Sequence, residues 1–232
     1  GAKFNGSLDY LFNDTKSNAK DTYLNVNHLF TKDEDGYYSY DSNKNAAKFN
    51  KNKNEFVVYN QPEPNTHQGF FPFDEDWVRD TAAGKADHYF GLTMSASFYL
   101  PEDGKINGND MVFEFSGDDD VWVFIDDQLV LDLGGIHQEV SGSINFNDFT
   151  IKVNDKAQTK KLDEIIDDLT PYSYHTIKFF YLERGNSYSN CKLKFNLPTI
   201  PENSVMVTKE VTDENGDKVA YADNISYQFN IT

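Results

Sequence analysis

The stretch SGDDDVWVFIDD, residues 116–127, decides the fold that this sequence predicts. A run of five Val, Trp, Phe and Ile residues at its centre indicates a strand that is buried on both faces. Aspartate is a poor strand former and a good turn former. Asp118, Asp119 and Asp120 are therefore predicted to form a loop at the mouth of this strand, and Asp126-Asp127 to form a tight hairpin turn after it.

The three consecutive aspartates also suggest a metal site. Carboxylates crowded on one loop repel one another, and a rigid strand beneath them prevents them from spreading apart. A hard cation relieves this repulsion, and ligands that are all oxygen favour calcium over zinc or copper. The alternative is a solvated acidic turn with no ion.

Composition narrows the class of partner. The chain has 232 residues, a net charge of −17 and 15% aromatic residues. The aromatic content favours strands over helices, and the length allows one β-rich domain or two smaller ones. The negative charge argues against nucleic acid and anionic membrane as partners, and it suits a secreted protein. The sequence has no apolar run of 18 residues, so no membrane insertion is predicted.

The flanking segments predict an all-β fold. Short alternating patterns separated by turns every 8 to 12 residues indicate an antiparallel β-sandwich. Leu129, Leu131 and Leu133 are predicted to share one face of the strand after the hairpin, and Cys191 to lie on an inward face as a small buried hydrophobe. One short helix is predicted at residues 161–169. The predicted strands are residues 88–100, 111–115, 121–125, 128–133, 141–146, 149–153, 175–182 and 191–197.

The chain is predicted to contain one main domain. Residues 1–35 form an N-terminal extension packed on or preceding the sandwich, and residues 36–200 form the sandwich itself. Prolines 198 and 201 mark a linker, and residues 201–232 form the truncated beginning of a second small β-domain. No Ser/His/Asp constellation, His-rich metal site or phosphate-binding glycine loop is recognisable in the sequence, so an enzyme is not predicted, although glycoside hydrolases do use paired carboxylates.

Several motifs in order resemble the fibro-slime branch of the PA14 superfamily. They are GDDDVWVFID at 117–126, LVLDLGGIH at 129–137 and SGS at 141–143, with HYFGLT at 88–93 before them and YLER at 181–184 after them. The resemblance covers roughly residues 36–200. It implies a β-sandwich of the kind found in surface adhesins, glycan-binding modules, toxins and glycosidase insertions.

The resemblance also implies a calcium site. In related lectins, two adjacent aspartates joined by a cis peptide bond hold a calcium ion that contacts sugar hydroxyls; here they correspond to Asp118 and Asp119. A cis non-proline bond costs about 3 kcal/mol. A second loop, residues 183–190, is expected to supply Glu183, which stands where those lectins carry an asparagine, together with Asn186. The residues expected to contact the ligand are Asp120, Asp132, His137, Arg184 and Asn190, with a structural role as an equal alternative for His137.

The tail at residues 205–211 resembles the first strand of a Cna-B-type stalk domain. In such domains a lysine at the position of Lys209 often forms an isopeptide bond with a later asparagine; the strand that would carry the partner is absent here, so no such bond is expected within this chain. The chain is thus expected to be a monomeric module near the outer end of an extracellular, cell-wall-anchored protein of a Gram-positive bacterium. Its expected function is adhesion to a glycan or surface ligand through calcium. The alternative is a structural module in which calcium only rigidifies loops and the ligand is a protein.

Overall fold

The fold was analysed in a computed structural model, which describes residues 21–60, 69–73, 90–118, 120–135, 137–184, 189–200 and residue 215. The chain divides into two compact units, Gly1–Ile200 and Pro201–Thr232. The strands predicted for the second domain, and Lys209, lie outside the described residues. In the N-terminal extension, residues 21–35 are described, and Leu29 there belongs to the hydrophobic core.

Two antiparallel sheets form the first unit, which confirms the predicted all-β class. The larger sheet has seven strands in the order β1 (Thr31–Lys32), β2 (Tyr38–Asp41), β15 (Cys191–Phe195), β8 (Val112–Gly117), β11 (Val140–Asn145), β12 (Ile151–Val153) and β13 (Lys156–Ala157). The smaller sheet has four, in the order β10 (Gln128–Leu133), β9 (Asp120–Ile125), β14 (Tyr174–Glu183) and β5 (Phe90–Tyr99). Two hairpins complete the unit: β3 (Asn45–Asn50) with β4 (Glu55–Asn60), and β6 (Lys105–Ile106) with β7 (Asn109–Asp110).

Aromatic side chains join the two sheets face to face. The Phe179 ring of β14 lies 5.8 Å from the Phe113 ring and 5.7 Å from the Phe115 ring of β8, centroid to centroid. Tyr181 of β14 lies 6.1 Å from Phe115 in the same way. All four side chains are at most 3% exposed. Such aromatic pairs add to the stabilisation from burial alone, so this contact holds the two layers of the sandwich together.

Strand β9 is an interior strand of the smaller sheet. Its inward residues Val121, Val123 and Ile125 are completely buried, while Trp122 and Phe124 on the other face are half-buried. The expected burial on both faces is thus complete on one face only. The predicted hairpin after β9 is present: Asp126 and Asp127 both have positive φ, 48° and 62°, as a two-residue type I′ turn requires.

The β10 strand departs from the predicted alternation. A β-bulge shifts its register between Leu129 and Leu131, so that Val130 and Leu131 are buried while Leu129 is 43% exposed. The prediction that Leu129, Leu131 and Leu133 share one face was therefore wrong at Leu129. A bulge inserts one extra residue into a strand and reverses the facing of the residues before it, and the sequence pattern alone does not reveal it.

The predicted helix at residues 161–169 is reduced to a single turn of 3-10 helix, Leu162–Glu164. Leu162 and Ile166 are nevertheless both buried. The chain turns away at Asp168, where φ is 61°, and Pro171 follows. Ile165 and Leu169 are partly buried and pack against the core as well, so one 3-10 turn and the turns after it bring all four apolar residues to the core without a longer helix.

The bulge makes a testable prediction about two leucines of the same strand. Leu131→Ala should lower the free energy of unfolding by about 2–5 kcal/mol because it leaves a cavity in the core. Leu129→Ala, the matched control, should change it by less than about 0.5 kcal/mol because the side chain is already exposed. Urea unfolding of both variants measures the difference, and equal losses would contradict the bulged register.

Candidate functional site

Strand pairing brings Asp118 and Asn190 together across 72 residues of sequence. Gly117, the last residue of β8, pairs with Cys191, the first of β15. Asp118 is only 8% exposed, and its Oδ1 accepts a hydrogen bond of 2.6 Å from the Asn190 backbone N–H. A Cβ on Gly117 would lie 2.6 Å from the Asn190 carbonyl oxygen, so only glycine allows this close approach.

Asp120 begins β9 and pairs with Leu182 of β14, which places Arg184 beside it. Arg184 donates from Nη2 to Oδ1 of Asp120 at 2.8 Å, and its Nε lies 2.5 Å from Oδ2. The Gly135 backbone N–H also donates to Oδ1 at 2.6 Å. Because an arginine fork matches both carboxylate oxygens, Asp120 and Arg184 neutralise each other. Together with the Gly135 contact, this ion pair connects the start of β9 to the end of β14 and to the loop after β10.

Glu183, the last residue of β14, is 2% exposed. Its Oε2 accepts a hydrogen bond of 2.9 Å from the Tyr181 hydroxyl. The Ser189 hydroxyl lies 3.1 Å from that of Tyr181 and donates to the Phe70 carbonyl at 2.8 Å. Burial, followed by the neighbouring Cys191 and Glu183, raises the pKa of Tyr181 well above its usual value. The tyrosine therefore keeps its proton and remains a donor to the carboxylate.

Asp132 and His137 organise the loop that follows β10. The Gly134 N–H donates to Asp132 Oδ1 at 3.0 Å. The two ring nitrogens of His137 each lie 2.8 Å from a backbone carbonyl oxygen, those of Leu133 and Gln138. Both side chains thus bind their own loop, the one that presents Gly135 to Asp120. These contacts are those expected for the structural alternative at His137.

Two of the predicted metal ligands, Asp119 and Asn186, lie outside the described residues, and so does the peptide bond that joins Asp118 to Asp119. In the part of the chain that is described, no three His, Cys, Asp or Glu side chains lie close enough together to hold a metal ion. The two described candidates, Asp118 and Glu183, are carboxylates at the same end of the sandwich. Their oxygen donors are of the type that calcium prefers, but calcium takes six to eight oxygen ligands, so these two side chains alone do not form a calcium site.

The single cysteine is buried as predicted, with no exposed surface. Burial raises the pKa of the Cys191 thiol, and the negative charges of Asp118, Asp41 and Glu183 raise it further. A thiol that stays protonated is a poor nucleophile. Cys191 is therefore part of the core rather than a reactive group. It lies beside Asp118 and Glu183, which together with Asp120 and Arg184 form the polar group at this end of the sandwich, the loop cluster.

The structure also assembles a Ser-His-Asp set that the sequence did not reveal. The His175 Nδ1 lies 2.6 Å from Asp126 Oδ2, and its Nε2 lies 2.6 Å from Ser173 Oγ. Asp126 sits in the hairpin turn, 49 residues from His175, so only the pairing of β9 with β14 brings them together. The Ser-x-His spacing at the start of β14 was the single available signal, since residues two apart in extended chain share a face.

The surroundings of this set are structural. The Ser173 hydroxyl donates to the Thr170 carbonyl at 2.6 Å, and the Ser173 N–H donates to the same carbonyl at 3.0 Å. The Tyr172 N–H is likewise used, by the Leu100 carbonyl. An oxyanion hole needs donors aimed at the reacting carbonyl, and these two are already engaged. The set fastens the hairpin turn to β14.

The fold is an all-β antiparallel sandwich in which acidic residues from both sheets lie at one end. The sequence model of the PA14 domain matches residues 10–209. The chain therefore belongs to the PA14 domain family.

The similar proteins are amoebal. Protein psiF of Dictyostelium discoideum is 33% identical over 144 residues, which is 57% of this chain and 19% of the relative. Protein psiP is 34% identical over 136 residues, 57% and 15%, and protein psiI is 32% identical over 178 residues, 69% and 21%. The chain thus spans about a fifth or less of the length of these relatives. No solved structure matches it.

These relatives overturn the expected localisation. The anchoring of the chain in the cell wall of a Gram-positive bacterium was wrong, since the proteins it resembles belong to a eukaryotic amoeba. The described part of the chain contains no helix with the length and apolar character that a membrane crossing requires.

The ion pair at the loop cluster predicts a measurable coupling. Asp120→Asn and Arg184→Gln should each lower the free energy of unfolding by about 1–3 kcal/mol, because each leaves a partly buried polar partner unsatisfied. The double variant should lose less than the sum, with a coupling energy of about 1 kcal/mol from urea unfolding. The exposed Lys178–Asp127 pair is the control, with coupling near zero. Equal couplings in the two cycles would refute the assignment.

The buried thiol predicts a loss of stability at high pH. The thiol of the unfolded chain ionises around pH 9, whereas the buried thiol of the folded chain stays protonated. The thiol therefore makes its full contribution to the free energy of unfolding below pH 9. This contribution is lost as the pH rises from there toward the pKa of the folded state. Across that window Cys191 should make the free energy of unfolding fall by roughly 1 kcal/mol per pH unit. Cys191→Ala should show a shallower fall in urea titrations between pH 8 and pH 10.5, and identical slopes would contradict the burial of the thiol.

Proposed function

We propose that this chain is a non-catalytic adhesion module that binds a glycan or another surface ligand through a calcium ion held by Asp118, Asp119, Glu183 and Asn186. The observation that supports it is that two buried carboxylates from different sheets lie at the same end of the sandwich: Asp118, which follows β8, and Glu183, which ends β14. Buried carboxylates need hydrogen bonds or a cation. The PA14 family of the chain is the second support.

The protein's own residues prepare this site. The Asn190 N–H orients Asp118, and the Tyr181 hydroxyl orients Glu183. Arg184 is held by Asp120, so it neutralises that acid and leaves the other two to face the ion. A bound calcium ion would supply an electrophilic centre for a pair of sugar hydroxyls. Because hydrogen bonds to rigid strands set both carboxylates in advance, little ordering is required on binding.

A second candidate function is a structural module in which calcium rigidifies the loops and the ligand is a protein. The observation that favours it is the environment of Glu183, which is 2% exposed and hydrogen-bonded to Tyr181. A side chain held in this way suits a metal ligand that binds the ion from the protein side. Glu183 also stands in place of the asparagine that related lectins use as a ligand. In either case, residues 205–211 are proposed to form the first strand of a Cna-B-type domain.

Calcium titration tests the site. Asp119→Asn should abolish calcium binding by isothermal titration calorimetry, and it should also abolish a rise in melting temperature that wild type shows with calcium, since a ligand at a hundred times its Kd stabilises by about 2.7 kcal/mol. Asp163→Asn, which removes an exposed acid elsewhere, is the control with the same change of charge. Equal calcium responses in the wild-type protein and Asp119→Asn would rule out the site.

A glycan array, read with calcium and with EDTA, separates the two functions. Calcium-dependent hits that Asp119→Asn loses support ligand contact through the ion. A calcium-dependent melting temperature without any calcium-dependent hit supports the structural role.

A further inference from the structure

The outer face of the larger sheet carries a groove that plays no part in the loop cluster. It lies across β15, β8, β11 and β12 and encloses about 340 Å³, which is within the range of small-ligand sites. Lysines 152, 192 and 194 line it together with serines 116, 141 and 143.

Strand register explains its shape. Lys194 lies opposite Glu114, Glu114 opposite Ser143, and Ser143 opposite Lys152, in a row across four strands. A neighbouring row places Lys192, Ser116 and Ser141 side by side. Directly opposed side chains on one face stand about 5 Å apart. The inner strands β8 and β11 thus contribute three serines and Glu114 to the base of the groove, and the outer strands β15 and β12 contribute the lysines. The Ser116 hydroxyl donates to the Glu139 carboxylate beside the groove.

The charge of the groove is unusual for this chain. Its lining carries three lysines against two acids, Glu114 and Asp155, in a protein of net charge −17. Lys152 and Lys192 are exposed, and neither makes an ion pair with a described residue. Lys194 places its ammonium 4.0 Å from the centre of the Tyr37 ring, which holds the side chain by a cation–π contact, and Glu114 lies opposite it in the strand register.

We infer that this groove binds an anionic oligosaccharide, with the carboxylates of uronic acid units paired to Lys152 and Lys192. The hydroxyls of Ser141 and Ser143 and the carboxylate of Glu114 supply the mixed donors and acceptors that sugar hydroxyls need. A polyanion without hydroxyl groups would meet the repulsion of Glu114 and Asp155 without the hydrogen bonds that sugar hydroxyls donate to carboxylates. The serine, lysine and glutamate side chains of the groove lie on the face of the sheet opposite to the buried Phe113 and Leu193 of the same strands. Binding here is therefore independent of the calcium proposed for the loop cluster.

The test uses tetragalacturonate as the probe, in EDTA so that the calcium proposal plays no part. Wild type should bind it by calorimetry, and Lys152→Gln/Lys192→Gln should weaken the Kd about tenfold, as expected for the loss of two exposed charge contacts. The control, Lys51→Gln/Lys160→Gln, makes the same change of net charge at exposed lysines outside the groove and should stay within twofold of wild type. Thermal melting confirms that both variants are folded.

Two neutral or non-sugar probes sharpen the outcome. Maltotetraose and tetraglutamate should bind at least tenfold more weakly than tetragalacturonate. The inference is overturned if tetragalacturonate does not bind at millimolar concentration or if both double variants weaken it equally. It is likewise overturned if either comparison probe binds as well as tetragalacturonate. None of these results bears on calcium, so the two proposals fail separately.

Discussion

The structure depends on the burial of the inward face of β9 between the two sheets. Val121, Val123 and Ile125 are completely buried, and side chains in a strand alternate with a period of two. A shift of the pairing register by one residue would therefore move all three side chains to the outer face of the same sheet. The resulting register places Asp120 beside Leu182, and Asp126 beside Thr176. Polar contacts at both ends of the strand are thus set by apolar burial in its middle.

The acids of the loop cluster show how a strongly negative chain accommodates buried charge. Asp120 is paired with Arg184, Asp118 accepts a backbone N–H and Glu183 accepts a tyrosine hydroxyl. Hydrogen bonds and a cation are the two ways to offset the cost of burying a carboxylate. The two described aspartates of the triplet therefore differ in role. Asp120 forms an ion pair with Arg184, and Asp118 is positioned by the backbone N–H of Asn190, the residue before β15.

The larger sheet carries, on its outer face, charged and polar side chains that remain accessible to solvent. Its inward residues, such as Phe113, Phe115 and Leu193, are buried, while the intervening outward positions carry serine, glutamate and lysine. Alternation within the same strands thus produces a hydrophobic core on one side and a cationic, hydroxyl-lined groove on the other. Two surfaces of contrasting charge, one acidic at the end of the sandwich and one basic on its face, arise from a single β framework.

Local pattern in the sequence was sufficient for the β class, for the buried strand at residues 121–125, for the Asp126-Asp127 hairpin and for the burial of Cys191, because each depends on neighbours within a few residues. The exposure of Leu129, the single 3-10 turn at Leu162–Glu164, the pairing of Asp120 with Arg184 and the assembly of Asp126 with His175 were decided only by the tertiary structure. Each of these depends on which strand lies beside which and in what register. That choice follows from packing summed over the whole core, and a short stretch of sequence does not contain it.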